Sequence, residues 1–194
     1  MSTPAPPSAG ILGELRALDE RVYAAVASSD TPSLDAFFRR LSRLADKSVL
    51  WLGVAGALAV AGGPTGRRAA VDGVAAIGMA SATANLVGKQ MMRRRRPDRA
   101  GAGVPADRQV SMPTSSSFPS GHTASAVAFT EAVSHTVPAL GVPLRLVAVA
   151  VAYSRVHTGV HYPGDVLGGA LIGLTTGEAA PRATSWARRR WDIP

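Results

Sequence analysis

The chain has 194 residues, enough for one domain, and 46% hydrophobic content with only 18% charged residues excludes a disordered basic tail despite the net charge of +8. It has no cysteine, which excludes disulfides, thiolate nucleophiles and thiolate-bound zinc or iron–sulfur clusters. Covalent chemistry has to come from other side chains.

Residues 1–10, MSTPAPPSAG, read as a disordered leader, Pro-rich and without the basic start of an export signal. Ile11, Leu12, Leu15, Leu18, Val22 and Val26 then recur at helical spacing among charges and predict an amphipathic helix. After a stop and start signal at 29–33, Leu34, Phe37, Phe38, Leu41 and Leu44 mark one face of a second helix. Arg39, Arg40 and Arg43 lie on its polar side, which suits a membrane surface or a bundle exterior.

Between Lys47 and Arg67 lie 19 uncharged residues, long enough to cross a hydrocarbon core about 30 Å thick. With the later apolar stretches they predict spans at roughly 48–63, 69–88, 122–138, 142–156 and 165–180. By hydropathy alone these segments suit buried helices of a soluble bundle equally well. The loops at 89–121 and 157–164 then fall on the same side, as one shared site requires. The chain shows no strand-period alternation, internal repeat or dinucleotide glycine motif, so it reads as all-α: one helical domain over 11–182 and a basic tail over 183–194.

Three segments place phosphate-chemistry residues at the ends of these apolar stretches: Lys89 to Pro97, Pro119-Ser120-Gly121-His122, and Ser154-Arg155 through His161 to Asp165. A phosphoryl group in transit spreads negative charge over its equatorial oxygens, so fixed cations and N–H donors lower the barrier. Lys89, Arg96 and Arg155 supply cations, and arginine offers a planar fork that matches two phosphate oxygens. Ser120 and Gly121 precede a helical stretch whose N-terminus can aim backbone N–H groups at an anion. A neutral histidine serves as nucleophile when a carboxylate holds its other ring nitrogen, and Asp165 lies four residues after His161.

The combination K-x6-R-P, P-S-G-H and S-R-x5-H-x3-D resembles the signature of the type 2 phosphatidic acid phosphatase superfamily, which includes vanadium haloperoxidases and bacterial non-specific acid phosphatases. Every signature position is matched, in order, across residues 89 to 165. The resemblance implies a membrane-embedded helical bundle of about six helices with a phosphatase site at one interface. It assigns His161 as the nucleophile that forms a phosphohistidine, Asp165 as its orienting partner and His122 as general acid. Lys89, Arg96, Ser120, Gly121 and Arg155 become the phosphate cradle, with no metal and no cofactor.

What the resemblance implies is a multi-pass membrane enzyme that acts on a lipid phosphate, with membrane lipids around it. The substrate classes that fit are a polyprenyl-linked cell-wall precursor such as a decaprenylphosphoryl phosphoribose, a polyprenyl diphosphate, or a phosphatidic-acid-type lipid. Haloperoxidases of this superfamily are typically much longer, and soluble acid phosphatases usually begin with an export signal. A basic nucleic-acid binder, using Arg93 to Arg96 and Arg188 to Arg190, lacks both a recognised motif and aromatics for base stacking, so no nucleic-acid partner is expected.

Residues outside the signature receive structural readings. His157 and His135 match no signature position, and Glu131 and His135, four apart on one helix, are expected to pair with each other. Arg93, Arg94 and Arg95 read as a solvated or headgroup-facing run, Asp72 as a helix end, and Ser115 to Ser117 as loop filler.

Overall fold

The structure is a computed structural model that describes residues 10–88, 90 and 92–191. The expected leader, apart from Gly10, and the motif lysine Lys89 lie outside the described residues. Among the described residues the regular structure is helical, with seven α-helices: α1 Ile11–Ala27, α2 Pro32–Leu44, α3 Val49–Ala61, α4 Gly63–Ala82, α5 Gly121–Thr136, α6 Gly141–His157 and α7 Pro163–Arg190. Short 3-10 turns sit at Asp46–Ser48, Ala106–Arg108 and Pro138–Leu140, and α4 runs on into a π-helical turn, Thr83–Gly88.

Each predicted span has become a helix. Two helical segments, Gly63–Leu86 and Pro138–His157, are long and apolar enough to cross a membrane, and Pro32–Leu44 with Asp46–Ala61 forms a third such unit bent by 63°. In lipid, apolar surface alone gives helices no reason to associate, so close packing of small residues has to hold them together.

The sequence supplies that packing around α5, the central helix, which touches α4, α6 and α7. On α7, Gly169, Gly173 and Gly177 form a stripe pressed on α5: a Cβ at Gly173 would stand 2.6 Å from the Val127 Cβ, and one at Gly177 2.8 Å from the Glu131 Cβ. Ala124, Ala128 and Ala132 of α5 meet Ala76 and Ala80 of α4 and Ala180 of α7 in a fully buried alanine layer. A second core, between α3, α4, α5 and α6, is built on larger side chains, with Trp51 and Phe129 rings 5.4 Å apart.

At one end of the bundle, α7 runs as helix past the expected domain limit at 182 to Arg190. Arg188 there reaches Asp72 at 3.4 Å. Asp72 does not mark a helix end: it lies inside α4, fully buried, and also accepts from Thr136 at 3.0 Å and from Thr184. A buried carboxylate needs such partners, and here they tie α4, α5 and α7 together. Nor does Glu131 pair with His135. Glu131 accepts two hydrogen bonds from Arg145 at 2.9 and 2.6 Å, while His135 stands 3.8 Å from Glu178 on α7.

Candidate active site

The opposite end gathers the α2–α3 corner, the loop that leads into α5, the start of α5, and the turn between α6 and α7. A cleft of about 210 Å³ opens there, lined by Arg96, Gly121, His122 and His161 of the predicted site together with Lys47, Ser81, Asn85 and Ser125.

His161 sits in the turn between α6 and α7 and is 97% shielded, since 3% of it is exposed. Its backbone N–H donates to the Arg155 carbonyl at 3.1 Å, which fixes the turn on the end of α6. The ring is polarised from both sides. Nη1 of Arg96 lies 3.3 Å from Nε2, and Oδ2 of Asp165 lies 3.4 Å from Nδ1. A guanidinium can only donate, so Nε2 must be the acceptor and Nδ1 carries the proton, facing Asp165. This tautomer leaves Nε2 unprotonated at the cleft, its lone pair accepting from Arg96. Burial, reinforced by the charges of Arg96 and Arg155, outweighs the pull of Asp165 and pushes the imidazole down to about 4, so the ring is neutral at pH 7.

Asp165 is fully buried in the first turn of α7 and is itself held in place. Oδ2 accepts from the Tyr162 N–H at 2.9 Å and Oδ1 from Arg94 Nη1 at 3.1 Å. Arg94 also pairs with Asp19 of α1 at 2.6 Å and lies 4.0 Å over the Tyr162 ring. Arg94 is therefore no solvated member of an arginine run. Nothing in RRRR distinguishes it from its neighbours, because its partners lie 75 residues before it and 71 after it in the chain, at Asp19 and Asp165.

The serines read as filler, Ser115 and Ser116, hold Arg94 and Arg96. Arg96 donates to the Ser115 carbonyl at 3.0 Å, to the Ser116 carbonyl at 3.3 Å and to the Val160 carbonyl at 2.7 Å, while Ser116 Oγ accepts from the Arg94 N–H at 3.0 Å. Arg96 Nη2 also donates to Ser115 Oγ at 3.3 Å, so all three guanidinium nitrogens are held, with Nη1 between Val160 and His161 at the cleft.

Ser120 and Arg155 lie behind the cleft wall. The Ser120 hydroxyl is buried and caps α5, accepting from the Thr123 N–H at 3.4 Å and the Thr123 hydroxyl at 3.0 Å. The Ser120 N–H donates to the Asp165 carbonyl at 2.9 Å, so P-S-G-H is tied to the start of α7. These bonds orient the helix end at Gly121 and His122, whose first-turn N–H groups have no helical acceptor. Arg155 is 1% exposed; Nη1 donates to Ser42 Oγ at 2.5 Å, and among the described residues its buried Nε has no hydrogen-bond partner.

His122 opens α5 on the cleft wall, its Nε2 2.7 Å from Asp46 Oδ1 on the α2–α3 corner. His157 takes the structural part expected of it, buried against Asp35 at 2.9 Å, where Arg108 pairs with the same carboxylate at 3.0 Å.

Residues 69–189 match the PAP2 superfamily model. The chain belongs to the PAP2 superfamily. Its relatives include the decaprenylphosphoryl-5-phosphoribose phosphatase of Mycobacterium tuberculosis, 37% identical over 80% of this chain and 85% of that protein. The protein of the same name from Mycolicibacterium smegmatis is 36% identical over 76% of this chain and 77% of its own. The PAP2 fold also superimposes on a transmembrane PAP2 type phosphatidylglycerolphosphate phosphatase from Bacillus subtilis, with TM-score 0.68, 22% identity and coverage of 89% of this chain and 87% of that one. Aquifex aeolicus LpxE aligns with TM-score 0.65 and 26% identity over 85% of this chain and 95% of its own. The family and the helical fold expected from the sequence are thus the ones found.

Proposed function

We infer that this PAP2 protein is a multi-pass membrane lipid phosphatase that releases phosphate from a lipid-linked sugar phosphate through a phosphohistidine at His161. The observation that carries the reading is the His161 ring, neutral, with Nδ1 facing Asp165 and Nε2 facing Arg96 at the cleft. Nε2 attacks phosphorus while the bond to the leaving oxygen breaks, and His122, on the cleft wall, gives that oxygen its proton. Water then attacks the phosphohistidine, His122 takes its proton, and His161 is regenerated.

Arg96 and Arg155, with the N-terminus of α5 at Gly121, meet the charge that develops on the phosphoryl oxygens. Lys89 is assigned to the same cradle from its motif position. Side-chain cations thus take the part that magnesium plays in many phosphoryl transfers.

The substrate class rests on the relatives' name and on the cleft. Next to the phosphate groups its wall carries Ser81, Asn85, Ser125 and Lys47, a set that hydrogen-bonds hydroxyls and attracts a second anion. A phosphoribose linked through a phosphodiester to a polyprenyl tail offers both, and a plain diacylglycerol offers neither. The test is phosphate release by the detergent-purified chain from a prenylphosphoryl phosphoribose, a polyprenyl diphosphate and phosphatidic acid, with His161→Ala alongside. The sugar phosphate should give the highest kcat/KM, and a clear preference for phosphatidic acid would overturn the substrate assignment.

A further inference from the structure

Outside the signature segments, the side chain bonded to His122 is Asp46, with Oδ1 2.7 Å from Nε2. Asp46 opens the 3-10 turn at the corner where α2 and α3 bend by 63°. The next two residues, Lys47 and Ser48, have φ of 50° and 59°. Side chains in that left-handed region are strained, and such strain concentrates where a structure must aim a group. Here the corner aims residue 46 at His122, and Ala45, Lys47 and Ser48 of the same corner line the cleft. The carboxylate is 53% exposed, so water would satisfy it without the histidine. The same Oδ1 also stands 3.8 Å from Arg155 Nη1, so the corner faces both His122 and the buried arginine.

We propose that Asp46 is the positioning residue of the proton donor: it accepts from Nε2–H of His122, fixes the ring, and stabilises the imidazolium whose Nδ1–H goes to the leaving oxygen. The inference rests on the phosphohistidine reading above. The proton count closes over one turnover. His122 loses Nδ1–H as the phosphorus–oxygen bond breaks and regains it from the water that attacks phosphorus. Asp46 stays ionised throughout and keeps Nε2–H.

The cleft then holds two histidine–carboxylate pairs with opposite tasks. Asp165 sets a tautomer with an unprotonated Nε2 on His161, while Asp46 favours the protonated state of His122. Among the described residues, the charged groups facing His122 are Asp46 on the corner, Arg155 from α6 and Arg96 from the loop. Burial first, and then both arginines, oppose protonation, so Asp46 is the counterweight.

The test uses wild type, Asp46→Asn, Asp46→Glu and His161→Ala in detergent, with an alkyl phosphate lipid and nitrophenyl phosphate as substrates. Asp46→Asn should lower kcat on the alkyl ester by roughly 10- to 100-fold, at or below the lower end of general acid catalysis, because the histidine itself remains. On the nitrophenyl ester, whose leaving group needs no proton, the loss should be under about 3-fold by the same logic. The alkaline limb of the kcat profile should move to lower pH, the His122 ring should titrate lower by NMR, and Asp46→Glu should recover part of the alkyl-ester rate. Equal losses on both esters with the pH profile and ring titration unmoved would overturn the proposal, as would no loss on either. His161→Ala separates the two readings: if it stays active, the phosphohistidine reading has failed, whereas Asp46 fails alone when His161→Ala is dead on both esters and Asp46→Asn shows no leaving-group dependence.

Discussion

Arg94 Nη1 stands 3.1 Å from Asp165 Oδ1 and 2.6 Å from Asp19 Oδ2, so the carboxylate that orients His161 is itself held by an arginine anchored on α1. Without it, Asp165 keeps the Tyr162 N–H but loses its charged partner. Arg94→Ala should reduce kcat on the order of 10-fold, the low end of what outer partners of functional groups contribute. KM should change little, since Arg94 does not line the cleft. Steady-state kinetics on a lipid phosphate checks this, and a purely KM effect would contradict it.

Arg155→Lys keeps a charge but gives up the fork. Buried, with Nη1 donating to Ser42 and 3.8 Å from Asp46, Arg155 would serve an anion through the planar geometry of its fork. A loss of about 100-fold in kcat/KM is expected, the scale of removing one preorganised donor from a charge-stabilising site. Vanadate, which takes a trigonal-bipyramidal form on an axial histidine, should inhibit the wild type more strongly than phosphate does, and Arg155→Lys should narrow that gap. Equal inhibition by the two anions in the wild type would contradict the cradle.

The His161 ring should titrate near 4 instead of the ordinary value close to 6.5. Its folded value is depressed, so the neutral form persists as pH falls from 7 through 5 and is lost only as pH passes through about 4. A histidine-ring NMR titration in micelles, assigned by comparison with His161→Gln, reads this directly. A midpoint near 6.5 would contradict the burial argument.

Gly173→Ala should destabilise the bundle, because the added Cβ meets the Val127 Cβ at 2.6 Å on the facing helix. Overpacking of this kind costs roughly 1–3 kcal/mol. It should also lower activity, since α5 and α7 together set the Ser120–Asp165 link. Thermal unfolding in detergent measures the first effect, and Gly78→Ala on α4, where a Cβ meets nothing within 4 Å, is the control.

The helices were legible because apolar runs ending in Gly, Pro or charge are local signals: the span predicted at 142–156 is α6, Gly141–His157, and that at 122–138 is α5, Gly121–Thr136. The signature residues were legible because spacing within each segment carries the chemistry. What could not be read were partners distant in sequence. Asp72 has the look of a helix end until Thr136, Thr184 and Arg188 arrive from α5 and α7. Asp46 lies 76 residues before His122 in a corner whose left-handed backbone no residue preference announces. Ser115 and Ser116 hold Arg96 mainly through carbonyl oxygens, which every residue has, so their identity gives no hint of it.

Phosphate is expected to pass through His161 as a covalent phosphohistidine. A single turnover with substrate labelled in its phosphate, quenched in base and digested, tests it most directly. The label should sit on the peptide carrying His161, survive alkali, be lost in acid, and be absent from His161→Ala, which should also release no phosphate. An unlabelled wild-type chain that turns over within the same mixing time, or a His161→Ala variant that keeps wild-type turnover, would contradict it.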